Sequence, residues 1–380
     1  MRIGITCHPS AGGSGILATE LGLALAERGH VVHFVSYEIP FRLQGFHQNI
    51  FYHSVDFVTY PLFRHPPYSL ALTTKMAEVA EEHDIEIWHA HYAIPHAVCA
   101  ILARDMLKNG HCFKLVTTLH GTDITLVGTD PGFFRLTKYA MESSDAVTSV
   151  SQWLTEETQR EFKLSVPVRT IYNFINLEKF QTHSVDRCNL AEAGEKIVMH
   201  ISNFRPVKRV TDVVRAFKKI SDRVNARLIM VGDGPERLSA VGVARQLGVS
   251  DRIKYLGNNE NIEAILPCAD LVFQPSEHES FGLVALEAMA CGVPVLGTDS
   301  GGVREVVVNG ETGYLCEVGD IETMAARAIE ILTNDALARD MGARGRKHAE
   351  THFAREPIVA QYEALYRELL NQKCNGGKGA

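Results

Sequence analysis

Short runs of β-branched and aliphatic residues alternate along this chain with longer stretches whose apolar residues recur every three or four positions. In the first half the short runs are RIGITC, HVVHFVS, IFYHSVDF, IEIWHAH, KLVTTLH and DAVTSVS. In the second they are KIVMHIS, RLIMVGD, RIKYLG, DLVFQP, VPVLGT and GYLCEV. Apolar and polar residues alternate little within these runs, which marks strands covered on both faces. Between them, Leu17, Leu21 and Leu25, and later Val210, Val213, Val214 and Phe217, fall on single helical faces. Strand, helix and strand repeated in this way predict an α/β protein with parallel sheets.

The series restarts near residue 195, after the mixed polar stretch NLEKFQTHSVDRCNLAEAGE. The pattern therefore predicts two Rossmann-like, doubly wound domains, 1–171 and 195–355, joined by a linker over 172–194. A final helix over 356–370, with a stripe at Ile358, Tyr362, Leu365 and Leu369, is expected to cross back to the N-terminal domain. A tail over 371–380 is expected to be disordered. Ligands of such sheets bind beyond the carboxyl ends of the strands, so the expected site is a cleft that the two domains face.

Composition narrows the function classes. The 380 residues are 46% hydrophobic and 22% charged, an ordinary globular balance. The formal charge of −7, from 38 basic against 45 acidic side chains, argues against nucleic acid or an anionic membrane as the main partner. No apolar run reaches bilayer length, and MRIGITCHPS reads as a first strand rather than a signal peptide. The eight cysteines are scattered without a C-x-x-C pair, as expected of reduced thiols in a cytoplasmic protein.

Candidate chemistry begins at HPSAGGSGILATELG, directly after the first strand. Gly12, Gly13 and Gly15 allow close approach of the backbone to a ligand, and the following helix, read as Ile16 to Arg28, offers its positive end to an anion. Gly13-x-Gly15-x-x-Ala18, with Glu38 near the end of the second strand, also fits a dinucleotide fingerprint. At this point an NAD-dependent oxidoreductase and a phosphate-binding transferase both stand.

The second half separates them. SEHESFGLVALEAMACGVPVLGT holds Glu279 and Glu287, with a helix expected from Phe281 to Cys291. Two carboxylates on one side suit the hydroxyls of a sugar and a ribose, because each accepts two hydrogen bonds. A dehydrogenase has no need of them. In HISNFRPVKRV, Arg205, Lys208 and Arg209 form a basic knot at a strand's carboxyl end, suited to a diphosphate leaving group. The glycine loop VGDGPE is a weaker sign of the same kind. His89, His91, His96 and His120 lie in HAHYAIPH and TTLHGTD, but without H-E-x-x-H or a cysteine pair they predict core and cleft residues rather than a metal site. No Asp-x-Asp presents a divalent ion to a nucleotide, so neither a metal nor another cofactor is expected.

Together these residues resemble the family 4 retaining glycosyltransferases, which have the GT-B fold. The resemblance covers nearly the whole chain. It is carried by GITCHPSAGGSGILATELG, IPFR, HAHYAIPHAVCAILA, TTLHGTDITLVG, IYNFI, SNFRPVKRV and, most specifically, ESFGLVALEAMACGVP. It implies transfer of N-acetylglucosamine from UDP-N-acetylglucosamine to L-malate, the first step of bacillithiol biosynthesis, and a homodimer is common among such enzymes. An inositol phosphate acceptor is the alternative within the fold.

The resemblance also implies roles. Lys208, Glu279 and His120 would carry the chemistry. Gly12, Gly13, Asn203, Arg205 and Lys208 would serve the diphosphate. Asn258 would lie at uracil, Glu279 and the amides of Ser280, Phe281, Gly282 and Leu283 at the sugar, and Glu287 at the ribose. Ser14, Tyr92, Thr118 and Arg64 would face the acceptor, with Arg42 a further cation for its carboxylates. Many relatives carry arginine where Asn203 stands; Arg205 then serves either the diphosphate or the acceptor. Glu287 lies too deep to be a nucleophile, so the expected mechanism is same-face substitution, in which the departing phosphate takes the acceptor's proton.

Overall fold

The computed structural model describes residues 1–10, 12–56, 67–107, 111–182, 190–259 and 261–372. Arg64 and all of the expected tail beyond Gln372 lie outside the described residues. The chain divides into two compact units, Met1–Asn173 with Glu356–Ala380, and Phe174–Arg355.

Unit 1 holds strands β1 (Arg2–Thr6), β2 (Val31–Ser36), β3 (Ile50–Ser54), β4 (Ile87–His91), β5 (Lys114–Leu119), β6 (Ala146–Ser149) and β7 (Val168–Thr170). They form one sheet in the order β3-β2-β1-β4-β5-β6-β7, and every pairing is parallel. Ile3, Ile5, Phe34, Ile87, Trp88, Leu115 and Val116 are buried along the sheet. Helix α1 (Gly13–Glu27) buries Leu17, Leu21 and Leu25 as the spacing predicts, and Gly29 closes it at φ 85°. It begins three residues earlier than read from the sequence, because Gly13 and Ser14 already adopt the first helical turn.

Unit 2 repeats the plan. Strands β8 (Lys196–Ile201), β9 (Ala226–Val231), β10 (Ile253–Gly257), β11 (Leu271–Gln274), β12 (Val295–Thr298) and β13 (Gly313–Cys316) lie in the order β10-β9-β8-β11-β12-β13, all parallel. Val213, Val214, Phe217, Leu228, Phe273 and Met324 form its core. In each sheet the order reverses direction between the first strand and the fourth, β1 and β4 or β8 and β11. That switch point leaves a crevice where loops leave opposite faces of the sheet.

The terminal helix Arg355–Leu370 belongs to unit 1 from Glu356 onward. Tyr362, Tyr366 and Leu369 are buried, and the Tyr366 hydroxyl lies 2.7 Å from His89 Nδ1. Arg28, at the end of α1, donates to Glu363 at 2.8 Å and Glu356 at 2.6 Å, and Arg169 pairs with Glu368. Among the described residues no helix is long and apolar enough to cross a membrane.

Candidate active site

In unit 2 the loops after β8, β9, β11 and β12 brace one another. Asn203 and Arg205 are exposed in the loop after β8, while Phe204 between them is fully buried. The VGDGPE loop lies directly against this segment. A Cβ on Gly232 would stand 1.8 Å from the Ser202 carbonyl oxygen, and one on Gly234 would stand 2.0 Å from that of Asn203. Those glycines therefore serve packing between loops, and that accounts for the weak glycine signal read from the sequence.

Lys208 Nζ lies 2.6 Å from Glu279 Oε1, and the Ser276 hydroxyl donates to the same oxygen at 2.8 Å. Backbone bonds fix the pair from both sides. The Glu277 amide donates to the Val207 carbonyl at 2.8 Å, and the Gly302 amide to that of Glu279 at 2.7 Å. Gly301, at φ 71°, and Gly302 pack so closely that a Cβ on either would come within 2.3 Å of the carbonyl oxygen of Glu279 or Ser280. Sequence reading missed this brace. Its signal is the Gly-Gly pair in TDSGGV, which follows β12.

The helix carrying Glu287 runs over Leu283–Ala290, shorter than the expected Phe281–Cys291, because Gly282 enters it at φ 98°. Glu279 thus stands in the loop and not at a helical position. The two glutamates are joined by a left-handed turn, and a count of 3.6 residues per turn does not relate them. Glu287 is buried, only 4% exposed, whereas Glu279 is half-buried. Phe281 is buried with its ring 5.6 Å from that of Phe353, so it can offer its amide and not its side chain to a ligand; Ser280 and Leu283 are half-buried. No side-chain cap and no acidic residue occupy this helix's first turn, which leaves its positive end suited to an anion or a hydroxyl. Asn258 is exposed just beyond β10.

The basic knot separates by partner. Arg209 donates to Asp212 at 2.7 Å, and Lys208 is held by Glu279. Arg205 is exposed and forms no ion pair among the described residues. His200, fully buried, bridges the Phe273 carbonyl and the Ser202 hydroxyl at 2.8 Å each, and burial pushes it down to about 4.

The corresponding edge of unit 1 is built from imidazoles. His91 Nδ1 and His120 Nε2 lie 2.9 Å apart, and the rings of His89 and His91 stack at 4.3 Å. His8, from the loop after β1, sits 5.1 Å from the Tyr92 ring and 4.5 Å from that of His96. His96 Nδ1 donates to the His91 carbonyl. Burial first, and neighbouring imidazoles second, push His89, His96 and His120 down to about 3 and His91 well below its ordinary value. These rings are neutral at physiological pH. Among the described residues the buried Nε2 atoms of His91 and His96 have no hydrogen-bond partner.

Asp123, which the sequence reading quoted but gave no role, pins this edge. Its carboxylate accepts from the amides of Gly121 at 2.9 Å, His120 at 3.1 Å and Ala93 at 3.3 Å, joining the loops after β4 and β5. Burial raises it to about 6 despite those bonds.

Other expected residues divide. Tyr92 is half-buried, held at φ 92°, with its amide donating to the Thr118 carbonyl. Thr118 itself is buried. Its hydroxyl is 2.6 Å from both His89 Nε2 and Thr148 Oγ1, so it faces the interior of unit 1 rather than an acceptor. Gly12 and Gly13 are exposed and Ser14 half-buried at the uncapped start of α1. Gly15 has a different reason to be glycine from the one expected: a Cβ there would stand 2.4 Å from the His8 carbonyl oxygen. Arg42 lies 3.3 Å from Glu20 of α1.

With this geometry, comparison with known proteins is decisive. Residues 11–179 match the family described as Glycosyltransferase Family 4, and residues 185–348 match Glycosyl transferases group 1. The chain is 49% identical over 380 residues to N-acetyl-alpha-D-glucosaminyl L-malate synthase of Bacillus anthracis, covering 99% of each sequence. It belongs to the family 4 glycosyltransferases. Sucrose-phosphate synthase from Thermosynechococcus elongatus shares the fold with a TM-score of 0.82 at 24% identity, covering 98% of this chain and 99% of that one. Anabaena HepE, solved in complex with UDP-glucose, aligns with a TM-score of 0.78 at 22% identity over 97% and 100% of the two chains. This glycosyltransferase is a UDP-sugar-dependent enzyme of the GT-B fold, and nothing supports the oxidoreductase alternative.

Proposed function

We propose that this glycosyltransferase moves N-acetylglucosamine from UDP-N-acetylglucosamine to the hydroxyl of L-malate in the cytoplasm, with retention at the anomeric carbon. The near full-length, 49% identical relative named for this sugar and this acceptor carries the reading. The geometry of unit 2 supports the donor half. Lys208, already fixed by Glu279, turns its charge to the diphosphate as the glycosidic bond breaks. Glu279 accepts from a sugar hydroxyl, with the amides from Ser280 to Leu283 beside it. Glu287 takes the ribose hydroxyls and Asn258 lies at uracil.

In unit 1 the uncapped start of α1 at Gly12, Gly13 and Ser14 takes anionic oxygen. His120, neutral and engaged through Nε2, offers Nδ1 to a sugar hydroxyl. Tyr92 and Arg64 serve the acceptor's carboxylates, and Arg205 serves either those carboxylates or the diphosphate. The malate hydroxyl attacks from the side the diphosphate leaves. Its oxygen forms the new bond to the anomeric carbon, the bond to the β-phosphate oxygen breaks, and that oxygen takes the hydroxyl proton. The protein positions the reactants and stabilises charge without itself forming a covalent bond, and no metal is required.

The test is UDP release with UDP-N-acetylglucosamine and a panel of acceptors: L-malate, other small hydroxy acids and inositol phosphate. Malate should give the highest kcat/KM. Inositol phosphate ahead of malate would overturn the acceptor, and NADH binding without UDP release would overturn the reaction.

A further inference from the structure

A second group of histidines lies at the other margin of the unit 1 sheet. β2 and β3 pair in parallel with His33 opposite Phe51 and Val35 opposite His53. Side chains two apart on a strand share a face, so His33 and His53 are diagonal neighbours on one side. α2 (Tyr68–Glu82) ends over that side, and His83 closes it. The His33 and His83 rings stack at 4.4 Å, and His53 lies 5.2 Å from each. His33 Nδ1 and His53 Nε2 are 2.9 Å apart. One nitrogen from each of the three rings falls within 4.8 Å of the others. Among the described residues no other group of histidine, cysteine or acidic side chains converges so.

We propose that His33, His53 and His83 bind one divalent transition-metal ion of the zinc class, which fastens the edge strand β3 and the end of α2 to β2. Three imidazoles in tetrahedral zinc coordination stand about 3.3 Å apart, the separation that follows from a Zn–N bond of about 2.0–2.1 Å. The recorded spacing needs only ring rotation to reach it, and His53 and His83 are half-buried and have room to turn. All-nitrogen ligation suits zinc, nickel or copper rather than magnesium or calcium, which take oxygen. Glu82 Oε2, 4.0 Å from His83 Nε2, can orient that ring through its second nitrogen. Water takes the fourth position. The three rings lie on the edge pair β2–β3 and at the C-terminal end of α2, apart from the switch point between β1 and β4, so the ion is a clasp and takes no part in sugar transfer.

The test uses the full-length protein stripped with EDTA and titrated with Co2+. One equivalent should produce the visible ligand-field band of tetrahedral cobalt, and Zn2+ should abolish it. His53→Ala and His83→Ala should each weaken binding on the order of a hundredfold, at least the effect of losing an outer-shell partner. His352→Ala, on the exposed end of a unit 2 helix, should bind as wild type. Circular dichroism of the metal-free variants establishes that they fold. Should either fail to fold, wild-type crystals grown with zinc and measured at the zinc edge decide the matter alone. An anomalous peak among the three rings sustains the site. No binding by the wild type, undiminished binding by both folded variants, or a peak elsewhere overturns it.

Discussion

The two units share one strand order but arm their carboxyl edges in opposite ways. Unit 2 presents opposite charges, Lys208 against Glu279, held by hydroxyl and backbone bonds. Unit 1 presents neutral imidazoles and an aromatic ring, His91, His120, His8 and Tyr92, pinned by a single buried carboxylate at Asp123. The topology supplies a crevice at the switch point, and the side chains decide what enters it. A fixed lysine suits a diphosphate whose charge grows as it departs. A layer that resists protonation suits hydroxyl groups, which need both donors and acceptors.

The strongest way to break the contrast is to discharge unit 2. Lys208→Ala should lower kcat/KM for UDP-N-acetylglucosamine by about 10²–10³, the cost of roughly 3–4 kcal/mol for a lost charge-stabilising group. An unchanged value in the UDP-release assay would remove Lys208 from the mechanism.

Acid should act on the other unit. For His89, His96 and His120 the folded values, about 3, lie below the ordinary 6.5. Their contribution to stability is therefore present above pH 6.5 and lost as pH falls towards 3, on the order of 2 kcal/mol at pH 5 for one such ring. Asp123, raised to about 6, has the opposite sign: its contribution is present below the ordinary carboxylate range and lost as pH rises through 6. The histidines outnumber it. Between pH 7 and 5, hydrogen exchange corrected for intrinsic rates should accelerate more in β4 and β5 than in β12 and β13, which hold no histidine; β8 and β11, joined by the single buried ring of His200, should fall between. Equal acceleration would contradict the assignment of neutral rings to unit 1.

A smaller effect should follow from loosening the brace. Gly301→Ala puts a side chain at φ 71° and against the Glu279 carbonyl. The left-handed conformation alone costs about 1–2 kcal/mol, and kcat/KM should fall about tenfold as Glu279 shifts. Thermal melting distinguishes this from global unfolding, which would lower Tm without sparing KM for the acceptor. Smallest of all is Arg205→Ala. An exposed arginine bonding to an anion contributes about 1 kcal/mol, so the KM of one substrate should rise about fivefold. Whether that substrate is the nucleotide sugar or the acceptor separates the two roles open to Arg205.

Most strands of both sheets were legible in the sequence because each is a compact apolar run, and the central ones are buried on two faces. β7 was not: it is three residues long, at the sheet edge, and has an exposed Arg169 at its centre. Lys208 and Glu279 were legible as a pair of local motifs, each at a strand end. Their direct contact was not, because it joins loops 71 residues apart in the chain. The histidines of β2, β3 and the end of α2 stand tens of residues apart and carry no spacing that betrays a cluster. Thr118 and Gly15 mislead for another reason. Each sits in a motif that reads as ligand-facing, while the structure turns one hydroxyl inward and packs the other residue against its own loop.

The helix Arg355–Leu370 has a consequence for synthesis on the ribosome. Unit 2 is one uninterrupted segment, whereas unit 1 lacks the Tyr366 hydroxyl that bonds to His89 Nδ1 until residue 366 has emerged. The later-made half can therefore complete itself first, reversing the usual N-terminal-first order of vectorial folding. A nascent chain stalled before residue 356 would expose the groove that receives Tyr362, Tyr366 and Leu369, a sticky surface suited to chaperone capture.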